Sequence, residues 1–184
     1  MNWKTRLVEL EQKKSWDNAI LLLQNSISDD SNDKDAYIAL SYLLMNLLVE
    51  EEYDSQKHDY YAALLKSYFE KSYKKFEHDA EYLFFMARIG YISEWYLNIT
   101  LEQVRDMDFK ALSLDPNNIL YRWSYIVLLD DTVAHNKNIL IDYALMVLEE
   151  NSYIKEILLS KGSLGKYIYG IMVKVSQDLK SKLV

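Results

Sequence analysis

Apolar residues recur along the chain at the three- and four-residue spacing of amphipathic helices, and short polar segments interrupt them. Near the N-terminus these apolar positions are Trp3, Leu7 and Leu10. Residues at this spacing share one face of a helix. We therefore predict a first helix over residues 3–14, and we expect the Ser15 side chain to cap the free amides of the next helix.

Polar segments also mark the boundaries of further helices. Asp33 ends the run Ser-Asp-Asp-Ser-Asn-Asp and can cap a helix, and Thr100 with Gln103 forms a capping box. The Asp-Pro-Asn-Asn segment at 115–118 ends one helix and starts another. Residues 50–58 are polar and predict a loop. The predicted helices after the first cover residues 16–28, 34–49, 59–77, 79–97, 101–114, 118–129, 138–150, 152–161 and 164–179.

The last of these segments has a second interpretation. Leu164, Ile168 and Ile171 stand at helical spacing, with lysines between the apolar positions. Residues 167–173, Tyr-Ile-Tyr-Gly-Ile-Met-Val, also have the composition of a strand. The spacing favours a terminal amphipathic helix, and the strand is the alternative.

The hydrophobic pattern repeats at a fixed offset of thirty-four residues. The three apolar positions of the first helix, shifted by this offset, fall on Tyr37, Ser41 and Leu44. A small residue between two large ones suits a place where two helix backbones approach closely, and Ala19 provides another such residue. The same offset relates two later sets of positions, Met86, Ile89 and Gly90 with Leu120, Trp123 and Ser124.

An insertion separates the two stretches in which the period holds. Met86 lies forty-nine residues after Tyr37, so the second unit carries about fifteen residues beyond one repeat. In proteins built from repeated helical units, insertions lie on one face, and long loops on that face often serve binding. A tolerated insertion without a role is the alternative.

Paired helices at this period, together with an alanine five residues before a proline at Ala111 and Pro116, resemble the tetratricopeptide repeat. The resemblance implies an all-α fold, an α-α superhelix in the form of a right-handed solenoid of helix pairs with a C-terminal capping helix. It implies a single domain over residues 1–184. Its units are residues 1–33, 34–82 with the insertion, 83–116 and 117–150, followed by a capping segment at 151–184.

The resemblance also implies a binding groove, because the first helix of each tetratricopeptide unit lines a concave surface that holds peptides or protein segments. One position past each small residue stands a tyrosine, at Tyr42, Tyr91 and Tyr125, and we expect this trio to be exposed beside buried neighbours. Tyrosine here replaces the asparagine that a clamp for C-terminal carboxylates needs, which disfavours that ligand. The implied partner-binding residues are Tyr42, Asn46, Tyr91, Glu94, Trp95, Tyr121, Arg122 and Tyr125.

Composition removes several kinds of chemistry. There are four glycines, one proline and no cysteine, which leaves no disulfide, thiolate zinc site or cysteine nucleophile. His58, His78 and His135 are isolated from one another and form no metal-binding motif. Residues 162–167, Gly-Ser-Leu-Gly-Lys-Tyr, lack the spacing of a phosphate loop. We therefore predict no catalytic residue, metal or cofactor, and no enzyme.

Charge is uneven along the chain. The net charge is -7, yet residues 151–184 hold six lysines against Glu156 and Asp178, a local +4 that leaves -11 for residues 1–150. An acidic body suits a basic protein partner and disfavours nucleic acid. Solubility alone is the alternative reason for the charge, and the alternating lysines and aromatic rings of residues 68–76 keep single-stranded nucleic acid as a minority hypothesis.

Neither a secretory signal nor a membrane span is visible, so we expect a cytoplasmic protein without membrane contact. The expected function is non-enzymatic protein binding. Small size, acidity and the absence of a catalytic set favour an immunity protein that binds and neutralises a cognate, basic bacterial toxin. The alternatives are an adaptor or secretion chaperone that holds a peptide segment, then a nucleic-acid-binding regulator, and last an enzyme with a dispersed active site.

Overall fold

The computed structural model describes residues 2–129 and 152–180, and every regular element in these ranges is helical. The all-α class is therefore confirmed for this part of the chain. The predicted helix over residues 138–150 lies outside the described ranges. The helices are α1 (Trp3–Gln12), α2 (Trp16–Asp29), α3 (Lys34–Val49), a 3-10 turn (Ser55–Lys57), α4 (His58–Phe76), α5 (Ala80–Leu97), α6 (Leu101–Leu114), α7 (Ile119–Leu129), α8 (Ser152–Ser160) and α9 (Gly162–Lys180).

Three predicted helix starts, those of α3, α6 and α7, are confirmed to within one residue, and side-chain caps fix them. The Asp33 carboxylate accepts from the Ala36 amide at 3.0 Å and so begins α3. Thr100 and Gln103 form the capping box, each amide donating to the other's side chain at 2.8 and 3.2 Å. The Asn118 side chain accepts from the first amides of α7. Because side-chain acceptors satisfy amides that the helix leaves free, these starts were visible in the sequence.

Two expectations need correction or resolution. The Ser15 side chain does not cap α2, because its hydroxyl accepts a hydrogen bond from the Asn18 side chain at 2.9 Å instead of one from a backbone amide. The strand alternative for residues 167–173 is wrong, since these residues lie inside α9. Gly162, with φ of +62°, ends the preceding segment in the left-handed conformation that glycine tolerates.

The chain divides into two compact units, residues 1–104 and 105–184, and the boundary falls within α6. In the first unit α1 packs against α2, and α3 packs against α2, α4 and α5. Leu40, Leu44 and Leu47 of α3 are fully buried. With apolar contacts on several sides, α3 is the central helix of this unit.

In the second unit α8 packs against α9 at very short range. A Cβ placed on Gly165 would lie 1.6 Å from the Leu158 carbonyl oxygen, so only glycine fits there. Leu158, Leu164, Ile168 and Met172 are buried around this contact. Of the stripe that predicted α9, Leu164 and Ile168 are therefore buried, and Ile171 is half-buried.

The small residues singled out by the thirty-four-residue offset are all buried. Ser41, Gly90 and Ser124 have this status, as does Ala19 in α2. Burial at these places agrees with the prediction that they stand where helices approach closely. Within the described ranges, no helix is both long enough and apolar enough to cross a membrane.

Candidate functional site

Charged and polar side chains tie the starts of the first unit's helices together. The Trp3 indole donates to Asp33 at 2.8 Å, and Lys4 of α1 pairs with Asp35 of α3. Lys34 reaches from α3 to Asp79 and Glu81 at the start of α5, at 2.8 Å to each. Burial alone would lower the pKa of Lys34, but the two carboxylates outweigh it and raise the pKa.

The insertion forms a compact polar structure between α3 and α4. The Asp54 carboxylate accepts from the Gln56 amide at 3.1 Å and caps the 3-10 turn. The Tyr53 hydroxyl and His58 Nδ1 share a hydrogen bond of 2.6 Å, and their rings stack. The predicted loop is thus an ordered connection that places an aromatic ring beside the start of α4.

Six aromatic residues of the first unit form a continuous series of ring contacts, with centroids 5.4 to 6.4 Å apart. We call this set the aromatic cluster. Its two end members are widely exposed, Tyr60 at 55% and Trp95 at 59%, whereas Tyr61 in its middle is buried. In order, its members are Tyr60, Tyr61, Tyr53, His58, Tyr96 and Trp95.

Helix α5 is kinked just before Trp95 and Tyr96, the two residues that it contributes to the aromatic cluster. Ser93 has non-helical φ and ψ of -141° and 28°, and its hydroxyl donates to the Ile89 carbonyl at 2.8 Å. Serine hydroxyls that bond back onto the preceding turn bend helices. The bend lies directly before Trp95 and Tyr96, and the Tyr96 ring then contacts His58 of α4 at 5.6 Å.

A cavity of about 210 Å³ adjoins the aromatic cluster through two shared residues. It is lined by residues 14–18, at the turn into α2, and by Tyr53, Asp54, Lys57 and Tyr61. We call it the insertion cavity. Its volume suits a side chain, because sites for drug-sized ligands run from about 300 to 1,000 Å³.

Asp17 is the best-connected polar residue of the insertion cavity. Its carboxylate accepts from Lys57 Nζ at 2.6 Å and from the Tyr61 hydroxyl at 3.1 Å. The bond from Lys57 lowers the pKa of Asp17, and the same bond raises the pKa of Lys57. Burial, helped by the bond to Asp17, raises the pKa of Tyr61 to about 12. At neutral pH the cavity therefore holds an ionised Asp17 and a neutral Tyr61.

The predicted site residues of the first unit fall into two groups. Tyr91 and Trp95 of α5 are exposed, at 51% and 59%, and Glu94 between them is half-buried. Tyr42 of α3 is buried, so the expectation that it is exposed is wrong, and Asn46 is half-buried. Tyr42 is buried because α3 is the central helix, packed on several sides at once.

The remaining predicted residues belong to α7 in the second unit. Tyr121 is buried, while Arg122 is exposed and its Nε donates to the Pro116 carbonyl at 2.9 Å. Tyr125 is half-buried, with its ring 5.9 Å from that of Phe109. Because Tyr42 is buried, the three tyrosines do not form the exposed trio that was expected, and the exposed Tyr91 and the half-buried Tyr125 belong to different units.

Sequence reasoning missed the residues that the insertion contributes. It marked residues 50–58 as a loop with a potential binding role, but it did not single out Tyr53, Lys57 or Tyr61. Asp17 lies in the first turn of α2, where the helix dipole favours an acidic residue, so its position alone did not mark it as part of a site. The adjacent pair Tyr60-Tyr61 was the available signal, because tyrosine combines a large apolar ring with a polar hydroxyl and is enriched at interfaces.

No group of three or more metal-ligating side chains is placed to hold an ion among the described residues. The sequence matches no protein-family model, and no match was found among curated proteins or solved structures. On the exposure and contacts described above, the candidate site consists of the aromatic cluster, Tyr91 and the insertion cavity.

Proposed function

We propose that this chain is a non-enzymatic binding protein that holds a protein partner on the first unit. The observation that carries the proposal is the pair Tyr91 and Trp95 on α5, each more than half exposed. Large aromatic side chains left in solvent are typical anchors of protein interfaces. Trp95 also continues into the aromatic cluster, so a partner that covers it meets an ordered surface behind it.

The arrangement of helix neighbours supports a tetratricopeptide-like array as the framework of this surface. We propose that α1–α2 and α3–α4 are successive helix pairs and that α5 begins the next pair. In the first unit α3 packs against its pair member α4 and also against α5, the first helix of the next pair. Stacked helix pairs have these neighbours. Small-angle scattering of the full chain would test the curved, elongated form that such stacking requires.

The charge of the first unit favours a basic partner. Residues 1–104 carry eighteen acidic and eleven basic residues, which is the whole net charge of -7. Complementary charge speeds association and selects partners. A basic toxin domain that an immunity protein neutralises has this chemistry, and so we propose toxin neutralisation in a bacterial cell as the specific form of the function.

The test begins with a partner isolated on the tagged wild-type chain and then purified. Calorimetry should show that the double variant Tyr91→Ala/Trp95→Ala binds this partner at least about 30-fold more weakly, the loss expected for interface anchors. Phe109→Ala is the matched control, because Phe109 is an aromatic residue of the second unit with 54% exposure. An equal loss of partner affinity in the double variant and in Phe109→Ala would contradict the proposal.

The toxin form of the proposal has its own readout. Products of genes next to this one should be expressed singly in a bacterial host, and one of them should arrest growth. Co-expression of wild-type chain should restore growth, and the double variant should restore it poorly. If no neighbouring product is toxic, or if rescue needs neither Tyr91 nor Trp95, the neutralisation hypothesis fails while protein binding can still be measured directly.

A further inference from the structure

The insertion cavity has positive side chains that are already neutralised. Lys14 Nζ lies 2.9 Å from the Glu51 carboxylate, and Lys57 Nζ lies 2.6 Å from that of Asp17. Asp54 is a further carboxylate in the lining. With both lysines already paired, an entering cation would be attracted by the Asp54 carboxylate and could exchange with Lys57 at Asp17, whereas an anion would meet these carboxylates.

Aromatic rings add a second reason for a cation. Trp16, Tyr53 and Tyr61 all line the insertion cavity. The faces of aromatic rings attract ammonium and guanidinium groups. Rings combined with carboxylates in a space of about 210 Å³ fit the end of a lysine or arginine side chain.

Lys57 already shows how a cation is held here. It comes from the 3-10 turn within the insertion and reaches across to Asp17 at the start of α2. Its side chain is 38% exposed, so it can leave the carboxylate for solvent without breaking a buried contact. An incoming cation would then take the same acceptor, and the charge of the cavity would not change.

We infer that the insertion cavity receives a lysine or arginine side chain of the protein partner, and that Lys57 holds this place in the free protein. The inference rests on the proposed function and adds to it the chemistry of one contact. The partner's basic residue inserts beside the aromatic cluster and displaces Lys57 from Asp17. The acidic charge of the first unit thereby acts at a defined point rather than only as a diffuse field.

The test uses the full chain and N-acetyl-L-arginine amide, a probe with one positive charge. Binding is followed by the NMR shifts of the indole N–H groups, which include that of Trp16 in the cavity. We expect saturable shifts of the Trp16 signal, and none with the uncharged N-acetyl-L-glutamine amide. Asp17→Asn should weaken binding about tenfold, because the acceptor loses its charge.

Lys57→Met should tighten probe binding about fivefold, since it removes the internal competitor. Lys13→Met is the matched control, because Lys13 is an exposed lysine of the first unit and its loss changes the net charge equally. Absence of a saturable Trp16 shift, or equal effects of the two lysine variants, overturns the inference.

The double variant Tyr91→Ala/Trp95→Ala separates the two proposals. It should bind the arginine probe as well as wild type does, although it binds the protein partner weakly. If the arginine probe does not bind in the cavity but the double variant still weakens partner binding, only this inference is rejected. The reverse outcome, a probe that binds while the anchors prove neutral, rejects only the proposed partner-binding face.

Discussion

The first unit carries eighteen acidic and eleven basic residues, whereas the second carries ten of each. In the first unit, ion pairs such as Lys34 with Asp79 and Lys57 with Asp17 join separate helices. In the second, the described contacts include the close approach of α8 and α9 at Gly165. The comparison teaches that ion pairs join separate helices in the first unit, whereas close backbone approach joins α8 and α9 in the second.

The largest effect should come from the backbone contact in the second unit. Gly165→Ala places a methyl group where the Leu158 carbonyl stands, so α8 and α9 must move apart. We expect a loss of about 3 kcal/mol in the free energy of unfolding, at the upper end of typical overpacking. Urea denaturation followed by circular dichroism measures it, and hydrogen exchange should locate the loss in α8 and α9.

Gly170→Ala is the matched control within the same helix. A Cβ at Gly170 meets no atom within 4 Å, so the exchange should stabilise α9 by about 0.5–1 kcal/mol through backbone entropy. The two variants thus have opposite expected signs. If both stabilised the protein, the close approach of α8 and α9 would be contradicted.

A smaller effect should follow from the central charge pair of the first unit. Lys34→Met leaves the Asp79 and Glu81 carboxylates without the cation between them. We expect a loss of about 1 kcal/mol, because the partly exposed pair is screened by solvent. The same measurement on Lys13→Met, which alters net charge equally at an exposed position, should show a change within about 0.5 kcal/mol.

The smallest effect concerns acid. The pKa of Asp17 is lowered by its bond to Lys57, so its contribution to stability is present above the ordinary value of 3.8 and is lost as the pH falls through the lowered pKa. From about pH 5 to about pH 2, wild type should lose slightly more stability than Asp17→Asn does. The measurement is the urea midpoint of both proteins as a function of pH. If the two curves ran parallel, the Asp17–Lys57 pair would contribute nothing to stability.

Helix positions were predictable because their signals are local. The bounds of α3 and α6 coincide with the predicted ranges, since Asp33 and the Thr100–Gln103 box act on amides within one turn. The predicted cap at Ser15 was wrong because the Asn18 side chain donates to the Ser15 hydroxyl in place of a backbone amide. The residue type alone does not reveal such competition.

Site residues were harder to predict, because exposure depends on which helices surround each position. Tyr42 and Tyr91 each follow a small, buried residue, Ser41 and Gly90, yet Tyr91 is exposed and Tyr42 is buried. The difference arises because α3 is packed on several sides. Periodicity identifies the face of a helix, but it does not report how many neighbours that helix has.

By itself, the sequence determined the helical class of the described residues, the capped starts of α3, α6 and α7, and which small residues are buried, because spacing and capping chemistry are encoded within a few residues. Only the tertiary structure decided that Tyr53, Lys57 and Tyr61 meet Asp17 around one cavity. These residues come from segments about forty positions apart. Their meeting depends on how α1–α2, the insertion and α4 pack, and packing is set by the whole unit rather than by any local pattern.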